Sequence, residues 1–161
     1  MERVENVWLS RSWTTRPRRA GEGEDAYVFA DRPAFEAHAA AGGFLEWKEH
    51  FGNLYGTPVP RPPAGHDLLL EIDVYGAADV QRQARGAVLV LVLPPSVEAQ
   101  AQRLRSRGDR EETIAPRLAR AGEEERVGRA IADHVVVNDD LCRAVDEVVG
   151  IVDAHRQTGE M

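Results

Sequence analysis

Ala87-Val88-Leu89-Val90-Leu91-Val92-Leu93, followed by Pro94-Pro95-Ser96, is the longest apolar run in the chain. Seven apolar residues without a polar break read as a strand covered on both faces, the habit of parallel sheets. The prolines stop it, and Ser96 caps a helix that ends near Gly108. Upstream, Asp67 to Ile72 reads as a second apolar strand, with a helix from about Ala77. Downstream, Glu111 to Arg129 is a charged helical stretch interrupted near Pro116. Val135 to Val137 is a last strand, and Asp139 or Asp140 caps a C-terminal helix. Strands alternating with helices predict an α/β fold with a mainly parallel sheet.

The first half has a different rhythm. Val7 to Trp13 alternates apolar and polar residues and reads as a strand. Thr14 to Asp25, rich in Arg, Gly and Glu, is an exposed loop, and Ala26 to Ala30 a short strand. Asp31 caps a helix with Pro33 in its first turn, Gly42-Gly43 at its end and Phe35, Ala39 and Ala40 as its apolar stripe. Phe44 to Phe51 is extended, Gly52-Asn53 turns the chain, and Pro58 to Gly65, with four prolines, is a loop.

The chain has 161 residues, room for one domain with a core. Its net charge of −7 argues against nucleic acid or an anionic membrane as partner. The single cysteine, Cys142, excludes an internal disulfide and fits a reducing, cytoplasmic setting, with the thiol expected to be buried and inert. The N-terminus has no apolar h-region, and no apolar run is long enough to span a bilayer. A soluble protein, monomer or homodimer, is expected.

Ser10-Arg11-Ser12-Trp13-Thr14-Thr15-Arg16-Pro17-Arg18-Arg19 puts four arginines within nine residues of an acidic protein. The planar guanidinium fork suits phosphate, although charge alone fits a solvated loop as well. Phe44-Leu45-Glu46-Trp47 and Gly52-Asn53-Leu54-Tyr55-Gly56-Thr57-Pro58 then bring one carboxylate and two hydroxyls near a glycine turn. A carboxylate such as Glu46 can accept from both N1–H and N2–H₂ of guanine, Thr57 can meet O6, and Tyr55 can reach a phosphate. Leu68-Leu69-Leu70-Glu71-Ile72-Asp73 ends an apolar strand in two carboxylates, at the edge where open α/β sheets place ligands. The plainer reading of Asp73 is a helix cap.

Together with Pro94-Pro95-Ser96 and Val135-Val136-Val137-Asn138-Asp139-Asp140-Leu141, these segments stand in the order seen in guanylate kinases. From about Leu9 onward the sequence resembles that family. The resemblance implies a P-loop-kinase-like parallel sheet flanked by helices, with a small mixed-β GMP-binding subdomain (about 14–65) and a helical lid (about 107–130). The core would comprise about 7–13, 66–106 and 134–157. It implies phosphoryl transfer from ATP to GMP, with Mg²⁺ accompanying ATP. Ser12, Arg16, Arg19, Tyr27 and Tyr55 match residues that hold the GMP phosphate. Glu46, Thr57 and Asp73 match those that read guanine. Glu71 matches an acidic position near metal and acceptor phosphate, Arg107 and Arg117 match lid arginines, and Asn138 matches a position close to adenine.

The sequence also departs from the family pattern. Guanylate kinases open with a strand, a Gly-rich P-loop ending in Gly-Lys-Ser or Gly-Lys-Thr, and a helix. Here only Met1 to Trp8 precede the phosphate motif, with no glycine and no lysine. The first strand, P-loop and first helix are thus expected to be missing, through a late start assignment, a fragment or a true loss. In the family that strand lies between those matching Asp67–Ile72 and Ala87–Leu93. Tyr75 stands where glutamine is usual, the loop before Tyr27 is one residue short, and Pro58–Gly65 is shorter than usual. Two rivals remain beside the kinase. One is an inactive module that binds GMP or a phosphopeptide. The other is a kinase for a ribose bisphosphate, for which a guanine-reading Glu46 has no use.

Overall fold

The computed structural model describes residues 3–159. The strands are β1 (Val7–Leu9), β2 (Trp13–Thr14), β3 (Val28–Phe29), β4 (Phe44–His50), β5 (Asn53–Pro58), β6 (Asp67–Leu69), β7 (Val90–Leu93) and β8 (His134–Val137). The helices are α1 (Arg32–Ala40), α2 (Val74–Gln83), α3 (Val97–Ser106), α4 (Glu111–Ile131) and α5 (Leu141–Gly159). The fold is α/β, and the chain divides into two compact units, one up to Ala84 and one from Arg85 onward.

In the first unit, β1 and β6 pair in parallel, and a four-stranded mixed sheet runs in the order β3-β2-β5-β4. The expected strand Val7–Trp13 is two strands in two sheets. The chain leaves β6 after Ser10, whose N–H reaches Leu69 O at 2.9 Å, and joins the mixed sheet at Trp13. Asp31 caps α1 as expected, accepting from Ala34 N at 2.8 Å. Ala40 is exposed, so the buried side of α1 rests on Phe35. The turn between β4 and β5 sits at Phe51-Gly52, one residue earlier than expected. Both have positive φ, 48° and 75°, the backbone of a two-residue hairpin turn that matches strand twist.

One face of the mixed sheet packs on α1. Phe35 stacks on Phe44 at 4.4 Å, and Trp13 stacks on His38 at 4.4 Å. Gly56 faces this cluster. A Cβ there would lie 2.9 Å from the Phe44 ring and 3.0 Å from that of Phe35.

The strand expected over Asp67–Ile72 ends at Leu69, and Leu68 and Leu69 are exposed rather than buried. Glu71 and Asp73 therefore lie in the connection to α2 rather than on a strand. The helix begins at Val74, three residues earlier than expected, because the Asp73 carboxylate accepts from Tyr75 N and Gly76 N.

In the second unit, β7 and β8 pair in parallel, with α4 packed on β7 and α5 on β8. The expected strand Ala87–Leu93 is regular only from Val90. Leu89 and Leu93 are buried while Val88 and Val92 are exposed, so the all-apolar run has one covered side, not two. Ser96 caps α3 through Ala99 N at 3.1 Å. Helix α4 runs through Pro116 without a break. The N–H that proline lacks would have bonded Glu112, in the first turn of the helix. Asp140, not Asp139, caps α5, accepting from Arg143 N at 2.9 Å. Cys142 is exposed rather than buried. It lies in the first turn of α5, whose buried contact is Ala144. No helix among the described residues is long and apolar enough to cross a membrane.

Phe35 is fully buried. Phe35→Ala is expected to lower the unfolding free energy by roughly 3–5 kcal/mol, the usual cost of deleting a core aromatic ring. Chemical denaturation of the whole chain measures it. A loss under about 1 kcal/mol would show that the sheet does not depend on this cluster.

Candidate functional site

The other face of the mixed sheet carries the polar residues. β5 is its hub: Tyr55 lies opposite Thr14 and Lys48, and Thr57 lies opposite Glu46. Side chains two apart on a strand share a face about 7 Å apart, so Tyr55 and Thr57 point together while Gly56 points to the core. Strict alternation along β4 would put Phe44, Glu46 and Lys48 on one face. A bulge between Phe44 and Glu46 changes the phase. Phe44 and Trp47 thereby fall on the side of Phe35, Trp47 remaining half exposed, and Glu46 and Lys48 face the site.

At one end of this face lies an arginine centre. The Arg16 guanidinium is 9 % exposed and forks onto Glu22, with Nη2 to Oε1 at 2.7 Å and Nη1 to Oε2 at 3.0 Å. Nη1 also donates to Pro17 O at 2.7 Å, and the Arg16 backbone N–H donates to Thr14 Oγ1 at 3.1 Å. Its plane lies 5.5 Å from the Tyr27 ring and 5.8 Å from that of Phe29. The hydrogen bonds that Arg16 donates to Glu22 raise its pKa, and the nearby Tyr55 hydroxyl adds to the rise. Conversely, the Arg16 fork holds the Glu22 carboxyl down to about 2, against burial and with help from the Arg19 amide. The Tyr27 hydroxyl is pushed up by burial first and then by the charge of Glu71. Arg16, Tyr27 and Tyr55 therefore converge, and Glu71, itself exposed, is within electrostatic reach. Ser12 is half-buried beside them in sequence, its carbonyl taken by Val28 N. Arg19 contributes its backbone N–H to Glu22 at 2.9 Å.

At the other end, Thr57 Oγ1 donates to Glu46 Oε1 at 2.6 Å. Thr57 is almost completely buried, so its hydroxyl fixes the carboxylate. Helix α2 presents Gly76 to that carboxylate: a Cβ there would lie 3.1 Å from Glu46 Oε2. A negative group against the first turn of a helix is favoured by the exposed N–H groups. Asp73, the cap of the same helix, forms an ion pair with Lys48 through the oxygen that also accepts from Tyr75 N and Gly76 N. An open cleft of about 380 Å³ between β4 and α2 reaches Glu46 and is otherwise lined by Phe44, Leu45, Trp47 and residues of α2.

Nine of the residues expected at the site (Ser12, Arg16, Arg19, Tyr27, Glu46, Tyr55, Thr57, Glu71 and Asp73) lie in the first unit. Arg107, Arg117 and Asn138 lie in the second. Arg107 is the C-cap of α3 and pairs with Asp109. Arg117 lies half-buried in α4, and Asn138 follows β8, its carbonyl taken by Arg103 Nη2 at 2.7 Å. Sequence reading missed Glu22, Lys48 and Gly76. The signal for Glu22 was a carboxylate between two glycines, three residues after Arg19. For Lys48 it was its rarity, as the chain's one lysine.

The arrangement is two-headed. One end suits a tetrahedral oxyanion such as phosphate, the other a ring with adjacent N–H donors. Comparison with known proteins gives the family. The family model described as Guanylate kinase matches residues 3–155. A guanylate kinase of Symbiobacterium thermophilum is 48 % identical over 156 residues, covering 93 % of this chain and 74 % of that protein. One from Chromobacterium violaceum is 45 % identical over 158 residues, covering 94 % and 74 %. The crystal structure of guanylate kinase from Anaplasma phagocytophilum superposes with a TM-score of 0.76 at 34 % identity, covering 93 % of this chain and 76 % of that one.

The depressed Glu22 carboxyl carries a pH signature. In the unfolded chain it protonates near its ordinary 4.5, whereas in the fold it stays charged down to about 2. Its contribution to stability is therefore complete above about pH 4.5 and is lost as the pH falls toward about 2. Thermal melts across that window are expected to show a steeper decline for the natural chain than for Glu22→Gln. Parallel declines would mean that the Arg16–Glu22 pair contributes nothing to the fold.

Proposed function

Because the chain belongs to the guanylate kinase family, we propose that it binds GMP and acts in the transfer of a phosphoryl group from ATP to GMP, giving ADP and GDP. The observation that carries this reading is the two-headed polar face, with Arg16, Tyr27 and Tyr55 converging at one end and Glu46 held by Thr57 at the other. Ser12, Arg16, Arg19, Tyr27 and Tyr55 take the phosphate. Glu46 accepts from guanine N1–H and N2–H₂, while Thr57 and Asp73 complete the base end. Arg107 and Arg117 neutralise charge on the transferring phosphoryl group, and Asn138 serves the adenine side.

Among the described residues, no three metal-ligating side chains gather. Mg²⁺ would enter with the ATP phosphates, being an ion that prefers phosphate and water oxygens, and Glu71 is the carboxylate that would stand near it. Bound in that way, Mg²⁺ neutralises charge on the phosphates.

A second reading, a GMP- or phosphopeptide-binding module without turnover, is favoured by one observation: the two-headed polar face is built wholly from residues of the first unit, whereas Arg107, Arg117 and Asn138 lie in the second.

Calorimetry of the full chain with GMP, beside a coupled ATP–GMP turnover assay with Mg²⁺, tests both. GMP binding is expected, and Glu46→Gln is expected to weaken it roughly tenfold to a hundredfold, the worth of a charged hydrogen-bond acceptor. Turnover supports the kinase, while GMP or phosphopeptide binding without turnover supports the module. A folded sample that binds neither ligand overturns both.

A further inference from the structure

We propose that Glu22 is a positioning residue for the phosphate end of the site. It holds the Arg16 guanidinium in one orientation and stays beside it when the phosphate arrives. The inference rests on the GMP reading above.

Three hydrogen bonds hold the Glu22 carboxylate. Two come from the Arg16 fork, at 2.7 and 3.0 Å, and the third from the Arg19 backbone N–H at 2.9 Å. Glu22 N–H in turn donates to Arg19 O at 3.2 Å. The segment from Arg19 to Glu22 is thus a turn closed from both ends, with Gly21 at a φ of +78° bringing the chain back. An incoming phosphate can compete for the guanidinium. It does not replace the bond that closes the turn, so displacing Glu22 would undo the loop that carries Arg19.

The remaining anchors make the orientation useful. A guanidinium has five N–H donors in a rigid plane. Glu22 and Pro17 O occupy three of them, while the Tyr27 and Phe29 rings limit rotation of the plane. The Nε hydrogen and the second Nη2 hydrogen belong to a plane whose rotation is restricted, with the Tyr55 hydroxyl close enough to Arg16 to hydrogen-bond it. A donor pair set in advance binds a tetrahedral oxyanion without first losing rotamer freedom. Four residues assigned to the phosphate thereby depend on one carboxylate: Arg16 directly, Arg19 through the turn, and Tyr27 and Tyr55 through their contacts with Arg16.

The opposite possibility is that Glu22 is an internal anion standing where the phosphate must go. The two make predictions of opposite sign. Calorimetry of the full chain with GMP, inorganic phosphate and guanosine distinguishes them. Glu22→Gln keeps the size of the side chain and removes its charge. It is expected to weaken GMP and phosphate binding roughly tenfold, the loss of one preorganised charged fork, and to leave guanosine binding unchanged. Should that variant not fold, Glu22→Asp carries the same expectation at roughly threefold, since it keeps the charge and shortens the reach. GMP binding that is unchanged or tighter in the variant overturns the proposal. So does a loss on guanosine as large as that on GMP, which marks general damage. A natural chain that binds none of the three probes overturns the GMP reading, and the role of Glu22 with it.

Discussion

Gly56 lies across from Trp13 on one neighbouring strand and Trp47 on the other, with the Phe35 and Phe44 rings where its side chain would be. The mixed sheet depends on that close approach. It lets α1 seat its one fully buried ring against β5, and it fixes which way β5 faces. Once Gly56 points inward, Tyr55 and Thr57 must point outward together, because side chains alternate along a strand. The register with β4 then aims Glu46 and Lys48, and the register with β2 aims Thr14. The polar face is thus set by packing on the opposite side of the same sheet.

The charged groups on that face are arranged in pairs. Arg16 is nearly buried and would be costly to leave alone, and Glu22 offsets that cost. Asp73 is matched by Lys48 and by the N–H groups of the helix it caps. Glu46 is held by a buried hydroxyl and by the first turn of α2. Each partner also restricts rotation, so the site spends little side-chain entropy when a ligand binds. This accounts for a local cluster of arginines in a chain whose net charge is −7: acidic groups among the same residues balance the cations that a phosphate site needs.

Local chemistry was legible in the sequence where it acts over a few residues. The caps at Asp31 and Ser96 read correctly, because a short oxygen side chain serves N–H groups two or three residues on. Strand lengths did not read correctly. An apolar run shows what can be buried, not which residues find a partner, so Asp67–Ile72 and Ala87–Leu93 both came out shorter than their composition implied. Helix α4 also departed from the reading: it continues through Pro116, losing the single bond to the Glu112 carbonyl while the helix on both sides stays in place.

The sequence by itself determined the family likeness and the types of residue at the site: arginines and tyrosines for an anion, a carboxylate and a hydroxyl for a base. Those are covalent facts, and their order along the chain carries them. Only the tertiary structure decided which residues act together. The bulge after Phe44 turns Glu46 toward Thr57, against the alternation that the sequence of β4 shows. The return of the chain at Gly21 joins Glu22 to Arg16. The physical reason is that a face is chosen by what packs against the other side, and an ion pair by where two segments meet, and neither is a property of neighbouring residues.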